Sequence, residues 1–187
     1  MAWLSALAMV SLVVWLYLLL GRDGFWRARP RIEDEAAKGP GSWSALVAIV
    51  PARNEAAHVE QALRSLLAQD YPGELAVVLV DDHSEDGTAA IGARLATGSA
   101  RPLEVTHARA LPPGWSGKLW AVAEGLRHAA RSRIDAAYVL LTDADITHHP
   151  ANLSRLVAKA EGDRLDLASL MVRLHCGSFW ERLLIPP

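Results

Sequence analysis

Three short acidic stretches carry the residues best suited to chemistry: Pro51-Ala52-Arg53-Asn54-Glu55, Asp81-Asp82-His83-Ser84-Glu85-Asp86-Gly87-Thr88 and Asp143-Ala144-Asp145. Each follows a short apolar run, and in open α/β sheets ligands settle beyond the carboxyl ends of the strands. Taken singly, each is ordinary, since Asp-rich loops are common turn chemistry and a lone D-x-D is a weak pattern. Their order and their shared place at strand ends make the set specific. Other chemistries fail on spacing. No G-x-G-x-x-G follows the first apolar run, which removes the dinucleotide-binding fingerprint. Around Gly117-Lys118 a phosphate loop would need Gly where Pro112 stands and Ser or Thr where Leu119 stands. His148 and His149 are adjacent, point apart if helical, lack any further ligand spacing and read as surface histidines.

The elements that must position these groups alternate. Ala45 to Val50 is a β-branched apolar run ending at Pro51, as expected of a buried strand. Val59, Leu63, Leu66 and Leu67 recur at helical spacing, with Asn54 as the cap and Tyr71-Pro72-Gly73 as the stop. Leu75 to Val80 is a second strand, followed by a short helix carrying Ile91 and Leu95 that finishes near Gly98. Leu103 to Thr106 is a third strand. A helix from Gly117 to Arg131 shows Leu119, Val122 and Leu126 on one face. Ala136 to Leu141 is a fourth strand, and Pro150 suits the first turn of a helix burying Leu153, Leu156 and Val157. Leu165 to Leu174 contains a fifth strand. This rhythm predicts a mostly parallel sheet covered on both faces.

The first segment is of another kind. From Ala2 to Leu20 there is no charge, and the hydroxyls outside Tyr17 belong to Ser5 and Ser11. That length spans a bilayer as a helix. A signal peptide would place basic residues before the apolar run; here they follow it, which reads as a retained anchor. Arg22, Arg27, Arg29 and Arg31 after the span place the remainder in the cytoplasm, and Trp3 and Trp26 mark the interfaces. The expected organisation is an anchor over 2–20, a juxtamembrane linker over 21–44, an α/β domain over 45–175 that carries the three acidic stretches, and the incomplete start of a membrane-surface region over 176–187. The localisation that follows is the cell inner membrane, single-pass, with the α/β domain cytoplasmic. A formal charge of −2 offers no basic excess, so no nucleic-acid partner is expected. The single cysteine, Cys176, excludes an internal disulfide framework and a multi-cysteine zinc site.

A strand running into Pro-x-x-Asn-Glu, a second into Asp-Asp-x-Ser-x-Asp-Gly-Thr and a third into D-x-D resemble the pattern of the family 2 glycosyltransferases over about Ala45 to Leu174. The resemblance implies the GT-A fold, an α/β, Rossmann-like nucleotide-diphospho-sugar transferase fold, here preceded by one N-terminal transmembrane helix. The segment Pro112 to Ala121, Thr142 to Ile146 and Phe179 to Pro186 look like the branch associated with hopanoid biosynthesis. Carried over position by position, the family's roles give Asp82 the nucleotide base, with Asp81 supporting it and Pro51, Arg53 and Glu55 lining the same pocket. Asp143 would lie near the ribose or the metal, and Asp145 would ligate the Mn2+ or Mg2+ that bridges the phosphates. A hard divalent cation held by few carboxylates and several phosphate or water oxygens suits either ion. Lys118, at a helix start, would add a cation to the same phosphates. His83 stands where the family often has Gly.

The resemblance implies an inverting transfer from a nucleotide-diphosphate sugar donor to a lipid-type acceptor at the membrane, a hopanoid on the narrower branch resemblance. Such transfer needs a carboxylate base for the acceptor hydroxyl. Glu161, Asp163 and Asp166 come too soon after the D-x-D to match the family's base, so the base is expected beyond Pro187 and the chain reads as truncated at its C-terminus. Two other functions stay open: a nucleotide-sugar-binding fragment that does no transfer, and a nucleotidyltransferase, whose Gly-rich first loop is not seen after Val50.

Overall fold

The computed structural model describes residues 2–21, 32, 39–131, 135–172 and 177–184. The basic cluster Arg22, Arg27, Arg29 and Arg31, together with Trp26, Pro30, most of the linker, Cys176 and residues 185–187, lies outside them. The chain divides into two units, Met1–Ala36 with Ser169–Pro187, and Ala37–Ala168.

In the first unit, α1 (Ala2–Gly21) is apolar all round, and one stretch of it, Trp3–Gly21, is long and apolar enough to cross a membrane. Twenty residues at 1.5 Å each give about 30 Å, the thickness of a hydrocarbon core. The second helix of this unit, α6 (Phe179–Leu184), starts with a reciprocal cap. The Ser178 N–H donates to Glu181 Oε2 at 2.8 Å, and the Glu181 N–H donates to Ser178 Oγ at 3.2 Å. Phe179 and Trp180 are exposed and meet edge to face.

The second unit holds a four-stranded, all-parallel sheet in the order β3-β2-β1-β4. Its strands are β1 (Leu46–Ala52), β2 (Leu75–Asp81), β3 (Leu103–His107) and β4 (Tyr138–Leu141). Strands β1 and β2 are buried along almost their whole length, as their unbroken apolar runs require of a sheet covered on both faces. Helices α2 (Val59–Leu67), α3 (Thr88–Gly98) and α5 (Asn152–Asp163) pack on one face, around Leu46, Ala48, Val50 and Leu79. Helix α4 (Gly117–Ala129) packs on the other, around Val47, Ile49, Val78 and Val80.

Several details depart from the sequence reading. Pro51 lies within β1, not beyond it. The Ile49 carbonyl accepts from Thr142 N–H on the β4 side, so Pro51, two residues on, faces the same side, where the β4 ladder has already stopped at Ile49↔Leu141. No donor is missed there. Asn54 does not cap α2, which begins only at Val59; its backbone is left-handed at φ 56° and its side chain is engaged elsewhere. On α4 the buried face carries Trp120, Ala121, Gly125 and Ala129, while Leu119 and Leu126 are exposed. The helix crosses the sheet too closely for a large side chain: a Cβ on Gly125 would stand 2.5 Å from Ile49 Cγ2 and 2.8 Å from Val80 Cγ2. Residues 165–172 form no strand. An apolar, extended sequence becomes a strand only where another edge takes up its N–H and C=O groups, and among the described residues none does.

Candidate functional site

The order β3-β2-β1-β4 places a topological switch point between β1 and β4, because the chain winds outward from β1 to β3 and then returns to the opposite side. A crevice opens at such a point, beyond the carboxyl ends of the strands. Here it is a cleft of about 350 Å³. It is lined by Pro51, Ala52, Arg53 and Glu55 after β1, Asp82 after β2, Gly117, Lys118 and Ala121 of α4, and Asp143, Ala144 and Asp145 after β4.

Seven of the residues singled out from sequence therefore share one cleft: Pro51, Arg53, Glu55, Asp82, Lys118, Asp143 and Asp145. Asp81 does not line it. Successive side chains at a strand end point to opposite sides, so while Asp82 faces the cleft, Asp81 turns away and is only 3% exposed. Its Oδ2 accepts from the Ser84 N–H at 3.3 Å and lies 3.2 Å from His107 Nδ1; its Oδ1 is buried with no partner among the described residues.

Asp82 is buried at the cleft wall, with Arg53 Nη1 3.5 Å from Oδ2 and His83 Nδ1 3.3 Å from Oδ1. A Cβ on Gly117 would meet Asp82 Oδ2 at 2.9 Å, so the glycine lets the start of α4 approach the carboxylate. In the sequence Gly117 marks a helix start and a phosphate loop that fails on spacing; what singles it out is a glycine directly before a lysine at a helix start. The other unforeseen lining residues, Ala52, Ala121 and Ala144, carry no chemistry and serve by being small.

The loops after β1 and β2 are stitched together by the polar residues of their motifs. Asn54 N–H donates to Ser84 Oγ, Glu55 N–H to Thr88 Oγ1, Ala56 N–H to Asp86 Oδ2 and Glu85 N–H to Asn54 Oδ1, all at 2.9 Å. Thr88 is fully buried, and its hydroxyl donates to Asp86 Oδ1 at 2.5 Å. That bond, with the Ala56 N–H, holds the Asp86 carboxyl below the usual carboxylate range. Asn54, Ser84, Asp86 and Thr88 thus shape the loops, and none of them lines the cleft. Asn54, His83 and Gly87 take positive φ to make the turns.

The start of α4 is held by its tryptophans. Trp120 donates its indole N–H to the Arg109 carbonyl at 2.8 Å and packs edge to face with Trp115. Arg127 lies over the Trp120 ring at 4.5 Å, and Glu124 pairs with both Arg109 and Arg127. Lys118 Nζ reaches Asp143 Oδ1 at 2.7 Å across the cleft.

His148 is half-buried in an irregular stretch, which corrects the reading of a surface residue on a helix. Asn152 Nδ2 stands 3.0 Å from its Nδ1 and Thr142 Oγ1 stands 2.9 Å from its Nε2. A neutral ring accepting from the amide and donating to the hydroxyl satisfies both, and burial lowers its pKa in the direction that favours this neutral form. It braces the loop that begins at Thr142. No group of three or more His, Cys, Asp or Glu that could hold a metal occurs among the described residues. Asp143 and Asp145 alone are too few for a bare ion; they fit a cation that brings phosphate oxygens with it, and Asp143 already holds a cationic group, the Lys118 ammonium.

Comparison with known proteins points to the same chemistry. The chain is 33% identical over 103 residues to a 4,4'-diaponeurosporenoate glycosyltransferase of Staphylococcus aureus, covering 55% of this chain and 24% of that one. It spans about a quarter of the length of the curated relatives it matches. Among solved structures it is similar to the mannosyltransferase PcManGT of Pyrobaculum calidifontis in complex with GDP-Man and Mn2+, with TM-score 0.61 and 29% identity, covering 83% of this chain and 43% of that one. It is also similar to TarS of S. aureus, with TM-score 0.52 and 26% identity, covering 64% and 20%. The α/β fold with its parallel sheet is accordingly of the GT-A type. The family model described as glycosyl transferase family 2 matches residues 47–185, and the chain belongs to that family.

Proposed function

We propose that this chain binds a nucleotide-diphosphate sugar together with Mn2+ or Mg2+ and serves transfer of the sugar to a lipid-type acceptor at the cytoplasmic face of a membrane. The observation that carries this reading is the convergence of Asp82, Lys118, Asp143 and Asp145, from two strand ends and a helix start, on one cleft at the switch point. Asp82, fixed by its neighbours, accepts a hydrogen bond from the nucleotide base, with Pro51, Arg53 and Glu55 around it. Asp143 and Asp145 hold the metal, and Lys118 with the start of α4 takes the phosphates. The bound metal supplies charge neutralisation for the departing diphosphate. PcManGT, solved with GDP-Man and Mn2+, supports the donor and the metal. The relative named for a diaponeurosporenoate substrate supports an apolar acceptor. The hopanoid branch rests on the Pro112 to Ala121 segment, and the membrane on α1.

Calorimetry with UDP and GDP, each with Mn2+, on the unmodified chain and on Asp145→Asn tests the reading. Removing a metal ligand should weaken metal-dependent binding by at least about 10- to 100-fold, the cost usual even for partners of ligands. Equal affinity would sink the assignment. Resistance of the chain to carbonate extraction checks the anchor; recovery in the soluble fraction contradicts it.

A second reading is favoured by one observation. Glu161 and Asp163 in the last turn of α5, and Asp166 just beyond it, do not line the cleft. On that reading the cleft residues hold donor and metal, and no described carboxylate supplies the acceptor's base.

A further inference from the structure

Of the two ion pairs within the cleft, Arg53–Asp82 spans 3.5 Å and Lys118–Asp143 spans 2.7 Å. The second joins the residue assigned to the phosphates with a residue assigned to the metal, and both cannot perform those tasks while they hold each other. The backbone of α4 is fixed beneath Lys118: Gly117 rests against Asp82 Oδ2, and Trp120 is tied to Arg109. The lysine side chain is 63% exposed and the Asp143 side chain 50% exposed, so the tip of the lysine is free to move while its Cα is not. A bare divalent cation approaching Asp143 meets an ammonium already on one of its oxygens. A diphosphate arriving at the start of α4 offers that ammonium a more highly charged partner.

We propose that Lys118 is a positioning residue that works by exchange: without donor it holds Asp143 and keeps a bare cation off, and with donor it moves to the diphosphate and releases Asp143 to the metal. Metal and nucleotide then bind as a coupled pair. This rests on the reading of the cleft as a metal-diphosphate site.

The test measures Mn2+ binding by the electron paramagnetic resonance signal of the free ion. It uses the full chain in detergent, with and without UDP or GDP, for the unmodified protein, Lys118→Met and Lys118→Arg. An exposed ion pair is worth about 0.2–1 kcal/mol, so releasing Asp143 should raise bare Mn2+ affinity about 1.4- to 5-fold in Lys118→Met. The same variant should bind nucleotide more weakly when Mn2+ is saturating, so the coupling between the two ligands shrinks. Lys118→Arg, which keeps the charge, should hold bare Mn2+ near the unmodified affinity. A lysine that only supports the fold would not produce opposite changes for the two ligands. If Lys118→Met binds bare Mn2+ no more tightly than the unmodified chain while Mn2+-dependent nucleotide binding persists, the exchange is overturned and the cleft reading stands. If the unmodified chain binds no nucleotide with Mn2+, both fall.

Discussion

Between the loops that follow β1 and β2, four hydrogen bonds run from backbone N–H groups to the side chains of Asn54, Ser84, Asp86 and Thr88, and the central threonine is fully buried. The later part of the loop that follows β4 is tied down, with His148 N–H donating to Ser65 Oγ at 3.0 Å, Gln69 Nε2 to the His149 carbonyl at 2.9 Å and Asp70 N–H to the Pro150 carbonyl at 2.8 Å. Its D-x-D stretch is held more lightly. Thr142 N–H reaches the Ile49 carbonyl at 3.3 Å, Ile146 N–H reaches the Asp143 carbonyl at 3.4 Å, and Thr142 leans on His148. Asp143 and Asp145 are exposed, whereas Asp82 is buried. The difference follows from what each side has to bind. A hydrogen-bonded wall needs no partner to exist and gains from being fixed beforehand. On the function proposed above, two carboxylates that share one cation repel each other until it arrives, so leaving them in water costs less than packing them.

Three measurements break or sharpen this contrast, in order of expected effect. Thr88→Val keeps the shape but removes the hydroxyl, leaving the Glu55 N–H and part of Asp86 unpaired. It should lower stability by about 1–3 kcal/mol, read from the urea midpoint. A change near zero would mean that the two loops are not braced through Thr88. On the β4 side, His148 is held neutral, so its folded pKa lies below its unfolded value. Its contribution is complete above about pH 6.5 and declines as the pH falls through and below that value. The slope should stay well under about 1.4 kcal/mol per pH unit, because part of the ring remains in water. Thermal melts at successive pH values should show this decline and lose it in His148→Gln. The Asp86 contribution has the same sign of linkage, because its folded pKa is likewise lowered: it is full above about pH 4 and lost only below, so the two sides titrate in separate windows. The smallest effect belongs to His83, held at φ 58°. His83→Gly relieves the left-handed strain, partly offset by the glycine's own entropy. It should raise the melting temperature by the equivalent of a few tenths to about 1 kcal/mol. A clear loss would show that the His83–Asp82 contact outweighs the backbone term.

Much of this was legible before any coordinates. Strands β1 and β2 announce themselves because a strand buried on both faces must be apolar throughout, and the acidic groups that end β1, β2 and β4 do reach one end of the sheet. The errors share a cause. The buried face of α4 was assigned to Leu119, Val122 and Leu126 by size, but the close crossing at Gly125 selects small residues and turns the leucines outward. Asn54 was read as a helix cap from its type, yet its side chain is spent on Glu85, 31 residues away. Asp81 and Asp82 are alike in sequence and both buried, and only the alternation of side chains along the strand separates the one that turns away from the one that lines the cleft.

The sequence by itself determined the alternation of strands and helices, the apolar N-terminal helix and the identity of the charged groups, because these depend on local periodicity and residue chemistry. Tertiary structure alone decided the strand order and hence the switch point, the partners of each carboxylate, and the pairing of Lys118 with Asp143. Those depend on which residues distant in the chain meet at one strand end, and no local pattern encodes a distance between residues 25 positions apart.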